Sequence, residues 1–215
     1  MTNEDITEKK RRAAKAVALL EEKYPDALCS LVFSKPHELM IAGRLSAQCT
    51  DARVNIVTAV LFDKYRSIED FANAEISDVE QIVKPCGLYK TKAASIVNMC
   101  RKIIDDFNGE IPSTIEELTT LPGIGRKTAN LILGDVYGKP SIVADTHCIR
   151  ICSRLGFTTS KDPVKTESEL KELIEPSKSS DFCHRLVLFG REVCSARKPH
   201  CESCALKQIC PYCAE

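Results

Sequence analysis

The stretch that restricts the fold most strongly runs from Leu121 to Gly138 and reads LPGIGRKTANLILGDVYG. Its second half has apolar residues at three- and four-residue steps, the spacing of one buried helical face. These residues are Ala129, Ile132, Leu133 and Val136. Its first half, Pro122 to Gly125, combines a proline with two glycines, which is typical of a tight turn. Since a helical pattern at about 114–120 precedes the turn, we predict a helical hairpin over residues 114–137, ended by Gly138.

The start of the second helix is a candidate anion site. Glycines such as Gly123 and Gly125 let the backbone approach a ligand closely. The first N–H groups of a helix have no partner within the helix, so they can bind a DNA phosphate regardless of base sequence. A glycine turn that only joins two helices would explain the same residues, and the pattern alone leaves both interpretations open.

Helix signals dominate the remaining sequence. Three Ser-x-x-acid pairs resemble capping boxes: Ser67 with Asp70, Ser77 with Glu80, and Ser113 with Glu116. The predicted helices are about 7–23, 37–47, 52–65, 68–73, 78–84, 89–106, 114–120, 126–137, 146–155, 163–175 and 180–192. The nearest candidate strand, Ser141–Ala144, is too short to found a sheet. We therefore expect an all-α fold.

Charge is balanced overall but segregated along the chain. Thirty Lys and Arg residues balance thirty Asp and Glu residues. Residues 121–154 contain five basic residues and two acidic ones, and residues 178–207 contain six and three, so each region carries a net charge of +3. These two regions could form one basic face for a polyanion, although a solvated, patchy surface explains the charge equally well.

The C-terminal cysteines predict a metal site. Cys194, Cys201, Cys204 and Cys210 form the pattern C-x6-C-x2-C-x5-C, and Cys213 follows near the terminus, where fraying is expected. Four thiolates in a compact loop suit an iron–sulfur cluster. The last four cysteines also form two C-x2-C pairs, although zinc knuckles usually separate such pairs by about 12–20 residues. Spacing alone does not separate zinc from iron–sulfur.

The sequence shows no export signal and no membrane span. The N-terminus lacks an apolar core of the kind found in signal peptides, and no run of roughly 18 apolar residues occurs. Twelve cysteines without a secretion signal are expected to be reduced thiols or metal ligands. We therefore expect a cytoplasmic protein.

In combination, these motifs resemble those of the endonuclease III family of DNA glycosylases, within the helix-hairpin-helix superfamily. Five occur in the family's order over residues 29–210: LSAQCTD (Leu45–Asp51), GLYKTKA (Gly87–Ala93), LPGIGRKTAN (Leu121–Asn130), VADTH (Val143–His147) and the cysteine spacing. The resemblance implies a six-helix barrel domain over 29–139 that contains the hairpin. It also implies a second helical domain, built from 1–28 with 140–215, that carries a 4Fe–4S cluster in the loop 194–210.

The resemblance implies a bifunctional enzyme of base excision repair that removes oxidised pyrimidines from duplex DNA and cleaves the resulting abasic site. In that family a damaged base is flipped out of the duplex. An amine then attacks the sugar, forms a Schiff base and breaks the strand by β-elimination. Lys127 matches the family's amine. It lies in the first turn of a helix, beside Arg126, where both the helix dipole and a like charge disfavour a cation.

Asp145, in VADTH, is the second predicted catalytic residue. It precedes a periodic helix, so its residue type alone predicts an N-cap. The resemblance implies that its carboxylate also assists the lysine and stabilises the cationic sugar. We expect Asp145 to do both.

The resemblance also identifies candidate DNA contacts. Gln48 and Leu88 match residues that fill the gap left by a flipped nucleotide. Without the family, Gln48 would be interpreted as a polar residue at a helix end and Leu88 as core. Gly123 and Gly125 would contact phosphate through their backbone, and Arg197 and Lys198, inside the cysteine loop, could contact phosphates or be merely solvated. We expect a monomer acting on duplex DNA, associated with the nucleoid.

Three other functions fit parts of the pattern. Adenine or mismatch glycosylases of the same superfamily share the motifs but lack the hairpin lysine. A non-catalytic DNA-binding module would not need the pair Lys127 and Asp145. An iron–sulfur electron carrier that binds DNA would be recognised by a difference between the reduction potentials of its cluster with and without DNA. The acid at Asp135, on the helix of Lys127, departs from some relatives, and its effect on substrate range is left open.

Overall fold

The structure is a computed structural model that describes residues 5–213. Over that range the secondary structure is helical and contains no strand, so the predicted all-α fold is confirmed. The α-helices are α1 Ile6–Lys23, α2 Pro36–Leu45, α3 Asp51–Lys64, α4 Ile68–Ala72, α5 Ile76–Val83, α6 Tyr89–Phe107, α7 Ile115–Leu118, α8 Arg126–Asp135, α9 Thr146–Arg154, α10 Pro163–Leu173 and α11 Ser179–Glu192. Short 3-10 turns occupy Lys84–Cys86, Pro176–Lys178, Lys207–Ile209 and Pro211–Cys213.

The predicted capping boxes have different outcomes. The box at α4 is confirmed: the Ser67 hydroxyl accepts the N–H of Asp70 at 3.1 Å, and the Asp70 carboxylate accepts the N–H of Ser67 at 3.1 Å. The prediction for α5 is wrong, because the helix begins at Ile76 and its N-cap is Glu75. The prediction for α7 is wrong by one residue, since Thr114 and not Ser113 accepts the first N–H, from Glu117.

The chain divides into two compact units. One comprises residues 29–138, and the other combines the residues up to 28 with those from 139 onward. The first unit therefore holds α2 to α8, and the second holds α1 with α9 to α11 and the cysteine loop. Among the described residues, no helix is long and apolar enough to cross a membrane.

The unit of residues 29–138 is built around a continuous apolar core. Phe71 of α4 is fully buried and packs edge-on against His37 and Phe62, and at a tilt against Tyr65. The helix α6 supplies a buried stripe at three- and four-residue steps that includes Ile96, Met99, Cys100 and Ile103. Burial of this stripe, rather than helix propensity, holds a 19-residue helix in place.

The other unit is held together by its N-terminal helix. In α1 the buried residues Ala13, Ala16, Val17 and Leu20 follow the helical repeat, and α1 packs on α10 and α11. The Arg12 guanidinium donates to the carbonyls of Leu155 at 2.9 Å and Ile209 at 2.8 Å. The first helix of the chain is therefore bonded to its C-terminal part, across 143 and 197 residues.

Candidate functional site

The hairpin turn requires glycine at Gly123 for two reasons. Its φ is +81°, in the left-handed region that side chains other than glycine's rarely adopt. A Cβ added there would also lie 2.5 Å from Nε and 2.6 Å from Cδ of Arg44, and 2.9 Å from Cβ of Ser95. Arg44, which sequence reasoning missed, thus packs directly against the turn.

Gly125 is a different kind of glycine. Its φ of −96° is accessible to any residue, and a Cβ there would meet nothing within 4 Å. It is the N-cap of α8, whose N-terminus has no side-chain cap. The first N–H groups of α8 therefore face an open surface, as a phosphate site needs.

Substitution of the two glycines should have different effects: Gly123→Ala should lower folding stability, and Gly125→Ala should weaken DNA binding. Gly123→Ala should cost about 1–3 kcal/mol of folding stability, because it combines a strained φ with a clash. Gly125→Ala should melt within a few degrees of the unchanged protein but bind undamaged and damaged duplexes about tenfold more weakly, since its methyl group lies where a phosphate would approach. Thermal melting and fluorescence anisotropy measure the two effects. If Gly125→Ala bound duplex DNA with unchanged affinity, this turn would not be part of the DNA interface.

Lys127 is the second residue of α8, and its side chain is exposed. The helix buries Ala129, Ile132 and Leu133 on its other face. The amine therefore projects into solvent from the first turn of a fixed helix, directly after the glycine hairpin, where a substrate could reach it.

The Cys29 thiol lies in the same electrostatic environment as Lys127. Burial raises the pKa of Cys29 to about 12, the nearby charge of Asp135 adds to this increase, and the charge of Lys127 opposes it. Because the thiol stays protonated at neutral pH, it is a weak nucleophile. Asp135 is half-buried at the last position of α8.

Gln48 and Leu88 are both exposed and share an unusual backbone conformation. Their φ values are 55° and 47°, in the left-handed region that non-glycine residues rarely adopt. Leu88 is 56% exposed, and so it is not the core residue that its type alone suggested. Gln48 follows the end of α2, and Leu88 is the N-cap of α6. Both side chains are therefore exposed to solvent from a backbone conformation that is energetically costly for a non-glycine residue.

Asp145 caps α9, as its residue type predicted. One carboxylate oxygen, Oδ1, accepts the backbone N–H of Cys148 at 2.7 Å, and the side chain is half-buried. The segment before it is held by a buried thiol, because the N–H of Val143 donates to Sγ of Cys183 at 3.3 Å. The Cys183 thiol donates a hydrogen bond to Cys148, which together with burial raises the pKa of Cys183 well above its usual value, and so its sulfur accepts the N–H of Val143 as a neutral thiol.

The C-terminal cysteines gather around one pocket. It is lined by all four predicted ligands, Cys194, Cys201, Cys204 and Cys210, and also by Cys213. Cys213 therefore does not fray away from the loop, since its thiol is hydrogen-bonded to those of Cys201 and Cys210. Between residues 5 and 213, no three His, Cys, Asp or Glu side chains converge to hold a single metal ion.

Two arginines of α9 fix the start of the cysteine loop. Arg154 donates to the carbonyls of Ser195 at 2.7 Å and Ala196 at 2.8 Å, and its Nη1 lies 3.2 Å from Sγ of Cys194. Arg150 donates to the carbonyl of Cys194 at 2.9 Å. Sequence reasoning missed both residues, although their i, i+4 spacing on one helix face was visible.

Arg197 and Lys198 are exposed at the next turn of this loop. The Ser195 hydroxyl donates to the carbonyl of Lys198 at 2.6 Å and accepts its N–H at 3.3 Å, which closes the turn. The two cationic side chains are therefore presented to solvent on a well-bonded backbone.

The structure divides the predicted site residues between the two units. Lys127, Gln48, Leu88 and the two hairpin glycines belong to the unit of residues 29–138. Asp145, the five C-terminal cysteines and the loop cations belong to the other unit.

Comparison with known proteins gives a consistent result. Residues 41–176 match the family model described as HhH-GPD superfamily base excision DNA repair protein. The chain is 41% identical to endonuclease III of Synechocystis sp. over 207 residues, which cover 96% of this chain and 94% of that protein. It is similar to the structure of a trapped endonuclease III–DNA covalent intermediate, with a TM-score of 0.90 and 41% identity, covering 95% of this chain and 97% of that one. A non-covalent endonuclease III–DNA complex matches with the same TM-score and identity and covers 95% and 96%.

Proposed function

This chain belongs to the HhH-GPD superfamily of base excision DNA repair proteins and, within it, to the endonuclease III family, and on that premise we propose which residues carry the reaction. It is a bifunctional DNA glycosylase and abasic-site lyase of base excision repair. We propose that its substrates are oxidised pyrimidines and abasic sites in duplex DNA. The observation that carries the proposal is the exposed amine of Lys127 in the first turn of α8, directly after the glycine hairpin.

Lys127 is the nucleophile in this proposal. With the damaged nucleotide flipped out of the duplex, the lone pair of Nζ forms a bond to the sugar C1′. The bond from C1′ to the base breaks, and the departing base takes its electron pair and a proton. The sugar ring opens to a protonated Schiff base on Nζ. This cation makes the 2′ proton acidic, and loss of that proton expels the 3′ phosphate by β-elimination.

Asp145 is the electrostatic partner. The glycosidic bond breaks with positive charge developing on the sugar, and a fixed carboxylate stabilises that charge more than it stabilises the neutral substrate. The capping bond to the N–H of Cys148 uses one oxygen of Asp145 and fixes the side chain on α9. The same bond therefore serves the fold and orients the charge.

The hairpin and the loop cations hold the DNA backbone in this proposal. The open N-terminus of α8 at Gly125 would bind phosphate through backbone N–H groups, without reading the sequence. Arg197 and Lys198 would add phosphate contacts from the cysteine loop. Gln48 and Leu88 would enter the duplex and fill the space left by the flipped nucleotide.

The residues of the C-terminal pocket fit a 4Fe–4S cluster. Four thiols at the predicted spacing line one pocket, the donor set that a cluster held by four cysteines needs. Cys194, Cys201, Cys204 and Cys210 would hold it. When bound, the cluster would cross-link the loop that carries Arg197 and Lys198, and we assign it no part in the chemistry. Arg150 and Arg154 would fix the same loop from α9.

Metal content tests this assignment. Protein purified without oxygen should be yellow-brown and contain about four iron atoms per chain. Cys210→Ser should lose most of the iron, whereas Cys213→Ser should keep it, since Cys213 is the fifth thiol and not a ligand in the proposal. One zinc per chain without iron would contradict the cluster. If Cys213→Ser lost its iron, Cys213 would be a cluster ligand in place of one of the four proposed cysteines.

Borohydride trapping across a panel of duplexes tests the proposed activity. Borohydride reduces a Schiff base to a stable amine, so each trapped complex reports attack on the sugar. We expect trapping on duplexes with an oxidised pyrimidine or an abasic site, and none on undamaged or oxidised-purine duplexes. Binding without trapping on any member would instead indicate a non-catalytic damage sensor.

We further propose that the enzyme acts as a monomer in the cytoplasm, associated with the nucleoid through DNA.

A further inference from the structure

The unit of residues 29–138 contains a lysine that is 0% exposed. Lys92 lies in the first turn of α6, and its Nζ donates to the carbonyls of Leu45 and Cys86, each at 2.8 Å. Leu45 is the last residue of α2, and Cys86 is the last residue of the 3-10 turn Lys84–Cys86. One ammonium group thus joins the ends of two segments that lie 41 residues apart in the sequence.

No carboxylate pairs with this buried ammonium among the described residues. Burial lowers the pKa of Lys92, the nearby thiols of Cys86 and Cys49 oppose this decrease, and the adjacent Arg44 adds to it. The nearby thiol of Cys86 is hydrogen-bonded to Cys49, and burial raises its pKa to about 11, so it stays neutral. Burying a lysine without an ion pair is costly, and an apolar side chain would serve the core better. The lysine therefore calls for an explanation beyond packing.

The two segments that Lys92 joins lead directly into the strained, exposed residues described above. Gln48 follows Leu45 by three residues, and Leu88 follows Cys86 by two. The backbone N–H of Lys92 also donates to the carbonyl of Leu88 at 3.0 Å, which makes the first hydrogen bond of α6. Of the three non-glycine residues with positive φ between residues 5 and 213, two therefore lie within three residues of a carbonyl that accepts from Nζ of Lys92.

We propose that Lys92 is a positioning residue that fixes Gln48 and Leu88 relative to each other, so that both enter the duplex together. The proposal rests on the roles proposed above for those two residues. A wedge that must displace stacked bases needs a fixed geometry, because a shift of about 1 Å in a positioning group can cost 10²-fold in rate. The two carbonyl bonds supply that rigidity.

Lys92→Met tests the proposal, since methionine keeps the buried stem but donates no hydrogen bond. We expect excision of an oxidised pyrimidine from duplex DNA to fall about 10²-fold. Trapping on an abasic site in a single-stranded oligonucleotide should change by less than about threefold, because no stacked duplex has to be opened. Lys92→Gln, which keeps a shorter donor, should be intermediate on the duplex, and it carries the test if the methionine variant does not fold.

A matched control separates positioning from loss of stability. Met99→Ala truncates a buried side chain on the same helix, about two turns from Lys92. It should lower the melting temperature at least as much as Lys92→Met, with duplex and single-strand rates changing in parallel. A similar duplex-specific loss in Met99→Ala, or a parallel loss on both substrates in the Lys92 variants, would overturn the role of Lys92.

A double-mutant cycle connects Lys92 to the residues it positions. Leu88→Ala should slow duplex excision strongly in the unchanged protein but by less than about threefold in the Lys92→Met protein, because the two changes remove the same function. Fully additive effects would overturn the role of Lys92 while leaving that of Leu88 intact. Duplex excision unaffected by Leu88→Ala and Gln48→Ala would overturn the roles of those two residues, and with them that of Lys92.

Discussion

Lys127→Gln is expected to abolish borohydride trapping and to reduce strand cleavage by roughly 10³-fold or more, because it removes the attacking amine. Binding to lesion duplexes should persist within a few-fold. The phosphate-binding surface that we propose at Gly125 is backbone, and the exposed side chain at residue 127 contributes nothing to the buried face of α8. Single-turnover cleavage with fluorescence anisotropy on the same duplex measures both quantities.

Two further variants sharpen the result. Lys127→Arg should be as inactive as Lys127→Gln, since a guanidinium stays protonated and cannot attack. Lys165→Gln is a matched control, because Lys165 is another exposed lysine in the first turn of a helix, α10. It should trap at the unchanged rate. If Lys127→Gln were trapped at the normal rate, Lys127 would not be the nucleophile.

Asp145→Asn is expected to slow base release by about 10²–10³-fold, because it removes the negative charge that we propose stabilises the cationic sugar. Asparagine can still accept the N–H of Cys148 through Oδ1, so stability should change by less than about 1 kcal/mol. Cleavage of a preformed abasic site should suffer less, since its base has already left. Rates on an oxidised-pyrimidine duplex and on an abasic duplex should therefore diverge.

Asp162→Asn provides the control for this variant. Asp162 caps α10 in the same way, accepting the N–H of Lys165 at 2.9 Å, and it has no proposed contact with DNA. It should show the same small stability change as Asp145→Asn, with both rates unchanged. Equal losses on both substrates in Asp145→Asn would reject the assignment of this carboxylate to base release.

The helices could be predicted because each buries a periodic apolar face, whereas their first residues were less certain. Ser67 was identified as a cap correctly, but the cap of α7 is Thr114 rather than Ser113. Adjacent serine and threonine have nearly equal capping ability, and tertiary packing selects between them. At α5 the predicted cap, Ser77, lies inside the first turn of the helix, and the N-cap is Glu75.

The site residues that sequence reasoning identified lie within short motifs, and those it missed act through distant contacts. Lys127, Asp145 and the cysteine spacing are local patterns. Arg154 bonds to carbonyls 41 and 42 residues away, and Lys92 to one 47 residues away, which no local pattern encodes. One signal for Lys92 was available, because it occupies the buried stripe of α6 at the helical repeat from Ile96.

Backbone conformation was the other feature that could not be predicted. The residue types at Gln48 and Leu88 suggest a helix-end polar residue and a core residue, yet both are exposed with positive φ. Only the folded unit sets these angles, since the strain must be supported by surrounding contacts. Gly123 shows the reverse case, where a glycine in the sequence correctly indicated a tight turn, and its φ is +81°.

The claim that Lys127 forms the covalent intermediate is tested most directly by locating the bond itself. The unchanged enzyme would be trapped with borohydride on an oxidised-pyrimidine duplex, digested with protease and nuclease, and sequenced by mass spectrometry. The sugar remnant should lie on Nζ of Lys127 in essentially every modified peptide. A remnant on another lysine or on the N-terminal amine, with Lys127 unmodified, would contradict the mechanism.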